Sequence, residues 1–370
     1  MSTKASPRHE EPSLSPSTAT ATAIDCDALD AYLHSHVEGY AGPLALARFP
    51  GGQSNPTYRL STPGQTYVMR TKPGPVARLL PSAHAIEREY RVMAALAGSD
   101  VPVPRMVCLC EDESVIGRAF FIMEDMRGRV LWDQSLPDAT PSERGALYDE
   151  MNRVIAALHG VDVQAAGLAQ YGKPGDYIAR QIKRWSLQYT ASITRPIPEM
   201  DRLMDWLPRN MPASACGDGP VAIVHGDYRL DNLMFHPVEP RIVAVLDWEL
   251  STLGHPLADF SYHCMAWHIE PGAFRGIGGL DLAALGIPSE SDYIRRYCER
   301  TGLADPAALR EDWNFYLAYN LFRMAAILQG IAKRVEDGTA SSAQAMASAR
   351  GAVPLARPVS YTHLTLPTKA

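Results

Sequence analysis

The sequence has 370 residues, 46% of them apolar and 21% charged, so a sizeable core can be buried and global disorder is excluded. Lys and Arg number 35 against 41 Asp and Glu, a formal charge of -6 that excludes a basic nucleic-acid footprint. Six cysteines in a chain of this length, none spaced C-x-x-C, argue against a disulfide framework.

Residues 1–22 are rich in Ser, Thr, Ala and Pro and lack the apolar stretch of a signal peptide, which predicts a disordered tail. Short β-like runs follow. Leu44–Phe49, Thr57–Leu60 and Tyr67–Thr71, separated by Gly-rich and Pro-Gly turns, read as an antiparallel meander. A helix is expected over Ala83–Ala97, with Ser82 as N-cap and Gly98 at its end. Ile86, Tyr90, Met93 and Ala97 make its apolar face, with Glu89 on the flank, about 60° from the centre. Two more strands are expected at Met106–Cys110 and Ala119–Glu124, with Cys108 and Cys110 as small core residues. From about residue 141 the pattern is mainly helical, apart from a strand-rich island at 221–248. The apolar window Trp313–Ala332 carries Asn314, Asn320, Arg323 and Gln329, so it reads as a buried helix and not a membrane span. These features predict a soluble protein of a reducing, cytoplasmic compartment.

The strongest chemical signal runs from Ile223 to Phe235, I-V-H-G-D-Y-R-L-D-N-L-M-F. An apolar run leads into His225-Gly226-Asp227, and Asn232 follows Asp227 by five. A second apolar run, Ile242–Leu246, ends in Asp247-Trp248-Glu249. Phosphoryl transfer from ATP needs one carboxylate to take the proton of the attacking hydroxyl. It also needs oxygen donors, here an amide and a carboxylate, to hold Mg²⁺ against the phosphates. The spacing of Asp227 to Asn232 equals that of the protein-kinase catalytic loop, and Asp247 stands where that fold has its metal-binding Asp.

The H-G-D-x-x-x-x-N run, the second strand and Asp-Trp-Glu together resemble the aminoglycoside phosphotransferase-like kinases, over roughly residues 40–350. The resemblance implies an α+β, two-lobed protein-kinase-like fold. A small antiparallel β-sheet N-lobe is expected over 23–127 and a mainly helical C-lobe over 128–355. It implies ATP and Mg²⁺ as cofactors, Asp227 as the catalytic base, and Asn232 and Asp247 as metal ligands. His225 and Asp259 would brace the catalytic loop, with Glu249 a weaker candidate for metal or loop geometry. Gly51, Gly52, Ser54 and Asn55 resemble the phosphate-covering loop. Arg70 is favoured as the phosphate cation, Lys72 stays open, and Glu89 would pair with it. Glu124 and Met126 would meet the adenine through main-chain atoms of the hinge.

The family phosphorylates hydroxyls of aminoglycosides, choline-like amines, sugars and homoserine, and fold does not choose among these. The segment Lys173–Thr190 holds Arg180, Lys183, Arg184, Trp185 and Tyr189, a basic and aromatic surface that hints at an anionic acceptor. "GGQSNPTY", "DWELSTLGHPLAD" and "LFRMAAILQGIAKR" resemble the kinase-like domain joined, in some relatives, to acyl-CoA dehydrogenases. That resemblance implies a hydroxy acid or hydroxyacyl-CoA acceptor. The chain has no room for such a partner domain, so an acyl-CoA dehydrogenase-type partner would act in trans. A nucleotide-binding pseudokinase and an aminoglycoside- or choline-type kinase are the alternatives. The Thr-rich end, 356–370, resembles translated adapter sequence and is expected to be a non-native tail.

Overall fold

The computed structural model describes residues 24–49, 55–73, 85–173, 175–217, 219–272, 275–303 and 305–339. The chain divides into two compact units, Met1–Ala94 with Pro104–Met126, and Ala95–Val103 with Arg127–Ala370. The disordered and non-native tails predicted at the two ends lie outside the described residues, as does the N-cap Ser82.

In the first unit, helix α1 (Cys26–His36) precedes strands β1 (Ala45–Arg48), β2 (Thr57–Ser61) and β3 (Thr66–Thr71). Helix α2 (Ile86–Leu96), β4 (Met106–Cys110) and β5 (Phe120–Glu124) follow. The strands form one antiparallel sheet in the order β1-β2-β3-β5-β4. The predicted meander is its first half. One face buries Leu60, Tyr67, Met69, Phe120 and Ile122 against Leu29 and Leu33 of α1. Sequence reading had no element at α1. Its signals are Asp25, whose carboxylate caps the N–H groups of Asp27 and Ala28, and two leucines one turn apart.

Helix α2 corrects the predicted apolar face. Ile86, Glu89, Val92, Met93 and Leu96 are buried, while Ala97 is exposed. Val92 and Leu96 carry more apolar area than Ala97, so the helix turns them inward. Glu89 therefore sits in the middle of the buried stripe and not on its flank.

The second unit holds β6 (Arg129–Val130), α3 (Pro141–His159), α4 (Tyr177–Ala191), α5 (Pro198–Arg209) and β7 (Ala222–Val224). Strands β8 (Leu233–Phe235), β9 (Ile242–Val245) and β10 (Thr252–Gly254) come next. Helices α6 (Pro256–Cys264), α7 (Leu282–Leu285), α8 (Glu290–Thr301) and α9 (Pro306–Glu336) complete it. Thr140 and Glu143 close a capping box on α3. Strands β6-β8-β9 and the pair β10-β7 form two small antiparallel sheets. Helix α9 packs against α4, α5 and α6 and buries Asn320, Arg323 and Gln329 along with its apolar residues. No described helix is long and apolar enough to cross a membrane.

Every residue of α6 is buried, His263 included, and the His263 Nε2 lies 2.8 Å from the Tyr293 hydroxyl. Burial pushes the imidazole down to about 4 from 6.5, with Asp259 opposing only in part. A folded value below the unfolded one contributes stability above pH 6.5 that is lost as pH falls toward 4. Acidification from pH 7 to 5 should therefore remove about 2 kcal/mol through this residue. Urea unfolding of the wild type and His263→Gln at both pH values checks this. The variant should lose most of that difference, and an unchanged pH dependence would exclude His263 as its source.

Candidate active site

The predicted residues gather into two clusters, one in each unit. In the first, Arg70 on β3 and Glu89 on α2 form an ion pair, Nε to Oε2 at 3.0 Å, with side chains 16% and 3% exposed. Asn55 is fully buried and its Nδ2 donates to the other Glu89 oxygen at 2.9 Å. Both oxygens of Glu89 are thus engaged, and the guanidinium is held against the sheet. Lys72 pairs instead with Glu87, at 3.1 Å, nearer to solvent. The Asn55 side chain, expected beside a phosphate, thus also supports Glu89.

Gly51, Gly52 and Ser54 lie outside the described residues. The Glu124 N–H donates to the Arg105 carbonyl, so its remaining main-chain group is a carbonyl. Met126 is half-buried and its N–H has no partner among the described residues.

The second cluster surrounds the loop after β7. Gly226 has φ +81°, and a Cβ there would meet the Leu250 carbonyl oxygen at 2.8 Å, so only glycine fits. Asp259, in the first turn of α6, accepts from the His225 N–H at 2.7 Å and the Gly226 N–H at 2.8 Å. His159, linked to the Tyr297 hydroxyl at 2.7 Å, reaches the same carboxylate at 3.3 Å. Burial would raise the Asp259 carboxyl, but His159, His225 and the loop N–H hold it below its ordinary value. On the opposite side, the buried Arg323 of α9 donates to the Gly226 carbonyl at 2.7 Å. His225 accepts at Nδ1 from the Asp227 N–H and donates from Nε2 to the Leu246 carbonyl at 2.9 Å, which ties this loop to the end of β9.

Both oxygens of Asp227 are oriented. Oδ1 accepts from the Tyr262 hydroxyl at 2.5 Å and Oδ2 from Asn232 Nδ2 at 3.0 Å. Arg229 ion-pairs with Oδ2 at 3.2 Å and with Asp231 at 3.5 Å. Burial, followed by the Asp227 carboxylate, pushes the Tyr262 phenol up, so it keeps its proton and donates. With its nitrogen on Asp227, Asn232 has its amide oxygen left for a cation. The Leu246 N–H donates to the Asn232 carbonyl at 2.8 Å, so Asp247 follows directly on the residue paired with Asn232. Asp247 has φ 63° and ψ 63°, a left-handed conformation that Asp tolerates better than most residues.

Sequence reading did not single out Arg229, Asp231, Tyr262 or Arg275, and it read Arg323 only as a polar residue of a buried helix. Arg229 was within view as a variable position of the H-G-D-x-x-x-x-N run. Tyr262 lies one turn after Asp259, on the same face of α6. The basic segment of α4 divides differently from its expected reading. Trp185 and Tyr189 are buried, and Arg180 donates to the carbonyls of Lys173 and Gly175. Lys183 and Arg184 are the exposed cations, Arg184 standing over the Trp185 ring. The aromatic half of that surface is core, because its residues fall on the face turned to α9.

The pattern of the phosphotransferase enzyme family matches residues 45–311. The chain belongs to this phosphotransferase family. A crystal structure of a Ralstonia eutropha JMP134 protein, provisionally assigned as an aminoglycoside phosphotransferase, is 63% identical. Its TM-score is 0.84, over 91% of this chain and 98% of that one. Acyl-CoA dehydrogenase family member 10 of Mus musculus is 48% identical over 89% of this chain, which spans only 30% of that protein. The APH(4)-Ia aminoglycoside phosphotransferase, a thermostable mutant in complex with ADP and hygromycin B, is 16% identical. It matches at TM-score 0.55 over 90% of this chain and 97% of that chain, a likeness of fold alone. The family resemblance, the two-lobed kinase-like α+β fold and the likeness to acyl-CoA dehydrogenase-linked relatives are thereby borne out.

Proposed function

We propose that this phosphotransferase moves the γ-phosphoryl group of ATP to a hydroxyl of a small hydroxy acid or hydroxyacyl-CoA. The observation that carries this is Asp227. Its carboxylate stands on a clamped loop and accepts from the Asn232 amide nitrogen, and Asp247 follows the residue whose N–H donates to the Asn232 carbonyl. Asp227 accepts the proton of the acceptor hydroxyl. A bond forms from that oxygen to the γ-phosphorus, the bond from the γ-phosphorus to the β–γ bridging oxygen breaks, and ADP leaves. Tyr262 and Asn232 hold the Asp227 carboxylate in the orientation this transfer needs.

Asn232 and Asp247 offer hard oxygen donors of the kind Mg²⁺ takes. When bound, the ion would neutralise phosphate charge. Arg70, held by Glu89, is the cation assigned to the phosphates in preference to Lys72, because its partner is buried and doubly hydrogen-bonding. The Glu124 carbonyl and the Met126 N–H are assigned to the adenine. The ADP complex of the APH(4)-Ia enzyme supports a nucleotide of this type.

The acceptor class rests on the acyl-CoA dehydrogenase-named relative. An acyl-CoA dehydrogenase-type partner in trans has no support from these observations. ADP release with Mg·ATP over hydroxy acids, hydroxyacyl-CoAs, aminoglycosides, choline and simple sugars tests the reading. Release with an acyl acceptor supports it, whereas release with an aminoglycoside alone would replace it with an antibiotic kinase. Separately, Asp247→Ala should weaken Mg·ATP binding by at least about tenfold, the loss of one charged ligand. Unchanged nucleotide affinity in a fluorescence titration would remove Asp247 from the metal site.

A further inference from the structure

Arg229 stands two residues beyond Asp227, just before the 3-10 turn Leu230–Asn232 that carries Asn232. We infer that Arg229 binds the γ-phosphoryl group during its transfer and stabilises the charge that builds on it. This rests on the kinase reading above.

The guanidinium is fixed along one edge. Its Nε lies 3.2 Å from Asp227 Oδ2 and 3.5 Å from Asp231 Oδ1, and the side chain is 25% exposed. Neither carboxylate depends on this cation. Asp227 already has a donor on each oxygen, Tyr262 on Oδ1 and Asn232 on Oδ2. Arg275 pairs with the other oxygen of Asp231 at 2.9 Å. The terminal nitrogens of a guanidinium carry its remaining N–H groups. Among the described residues, those of Arg229 have no hydrogen-bond acceptor. They are the part of the side chain left for a ligand, and as pure donors they suit an acceptor-rich, anionic one.

The reaction places one such ligand here. Burial works against the charge of Arg229, but Asp227, Tyr262, Asp231 and Asp247 outweigh it and raise its pKa above the ordinary value. The cation is therefore coupled at once to the base and to the carboxylate assigned to the metal. The acceptor hydroxyl belongs on Asp227, and the metal on Asn232 and Asp247. The transferring phosphoryl is the group that stands between them. Its equatorial oxygens carry the charge of the transition state, and a planar fork of donors fits them. Because Arg229 is already held at Nε, it needs little reorganisation at the moment of transfer.

The test titrates Mg·ADP onto the wild type, Arg229→Ala, Arg229→Lys and Asp227→Asn, with and without aluminium fluoride as a mimic of the phosphoryl in transfer. In the wild type the mimic should tighten ADP binding by at least about tenfold. Arg229→Ala should lose most of that gain and still bind Mg·ADP alone within about threefold of wild type. Arg229→Lys, which keeps the charge without the fork, should fall between. Asp227→Asn removes the base and leaves the guanidinium, so it should keep the gain. With the best acceptor of the ADP-release panel, Arg229→Ala should lower kcat by at least about 100-fold with little change in KM, and added guanidinium ion should restore at least about tenfold. Circular dichroism establishes that each variant is folded. Equal loss of the gain in Asp227→Asn and Arg229→Ala would mean that Arg229 acts through Asp227, and would overturn its contact with the phosphoryl. An undiminished gain in Arg229→Ala, or no gain in a wild type that turns over an acceptor, would overturn it too. A gain that depends on Arg229, without turnover of any acceptor, would uphold the contact and overturn the small-molecule kinase reading. Neither gain nor turnover would overturn both.

Discussion

Replacing Asp227 with Asn is expected to lower kcat by about 100- to 10,000-fold, the range for loss of a general base, and to leave Mg·ATP affinity within about threefold. The substitution suits the local geometry. Asn232 and Arg229 both donate toward Oδ2, so the new amide oxygen takes that side. The new NH₂ then faces Tyr262, whose hydroxyl can rotate to accept. The loop should therefore keep its shape while losing the carboxylate assigned to take the proton of the acceptor. Single-turnover kinetics with a nucleotide-affinity measurement separate the two effects. Equal losses of turnover and nucleotide affinity would mean that Asp227 acts on ATP and not on the acceptor.

The candidate catalytic core was legible in the sequence because it is local. Asp227 and Asn232 share one loop, and Asp247 follows the strand paired to it, so thirteen contiguous residues and one short strand carry the pattern. The strands of the first unit were legible for the same reason, through alternation and turn residues. What escaped depends on partners far along the chain. Tyr262 reaches Asp227 across 35 residues, and Arg323 reaches Gly226 across 97. No spacing rule connects such pairs. Helix α1 escaped because two buried leucines are too few to mark a period against a polar background. The choice between Arg70 and Lys72 was open in the sequence because alternate residues share a strand face. Their partners differ in the structure, Glu89 being buried beside Arg70 while Glu87 meets Lys72 near solvent.

Replacing Asp259 should be the most damaging change to the fold around the site, costing about 3–5 kcal/mol, as expected when one partner of a buried charged network is removed. Asp259→Ala leaves the His225 and Gly226 N–H groups buried without acceptors. Asp259→Asn should fail nearly as badly, despite its equal size. Each carboxylate oxygen receives a loop N–H, so an amide must turn its NH₂ toward one of them, donor against donor, whichever way it flips. The pH dependence follows from the lowered carboxyl. Its contribution is present above the unfolded value, near 3.9, and is lost as pH falls through the folded one. Urea unfolding at neutral pH checks the cost. An Asp259→Asn variant within about 1 kcal/mol of wild type would show that the loop does not depend on this carboxylate. The loop carries Asp227 one residue beyond Gly226, so the same variant should also lose kcat, at least about 100-fold, under conditions where it is still folded. Folded protein with full kcat would separate the clamp from the chemistry and leave Arg323 and His225 as sufficient supports.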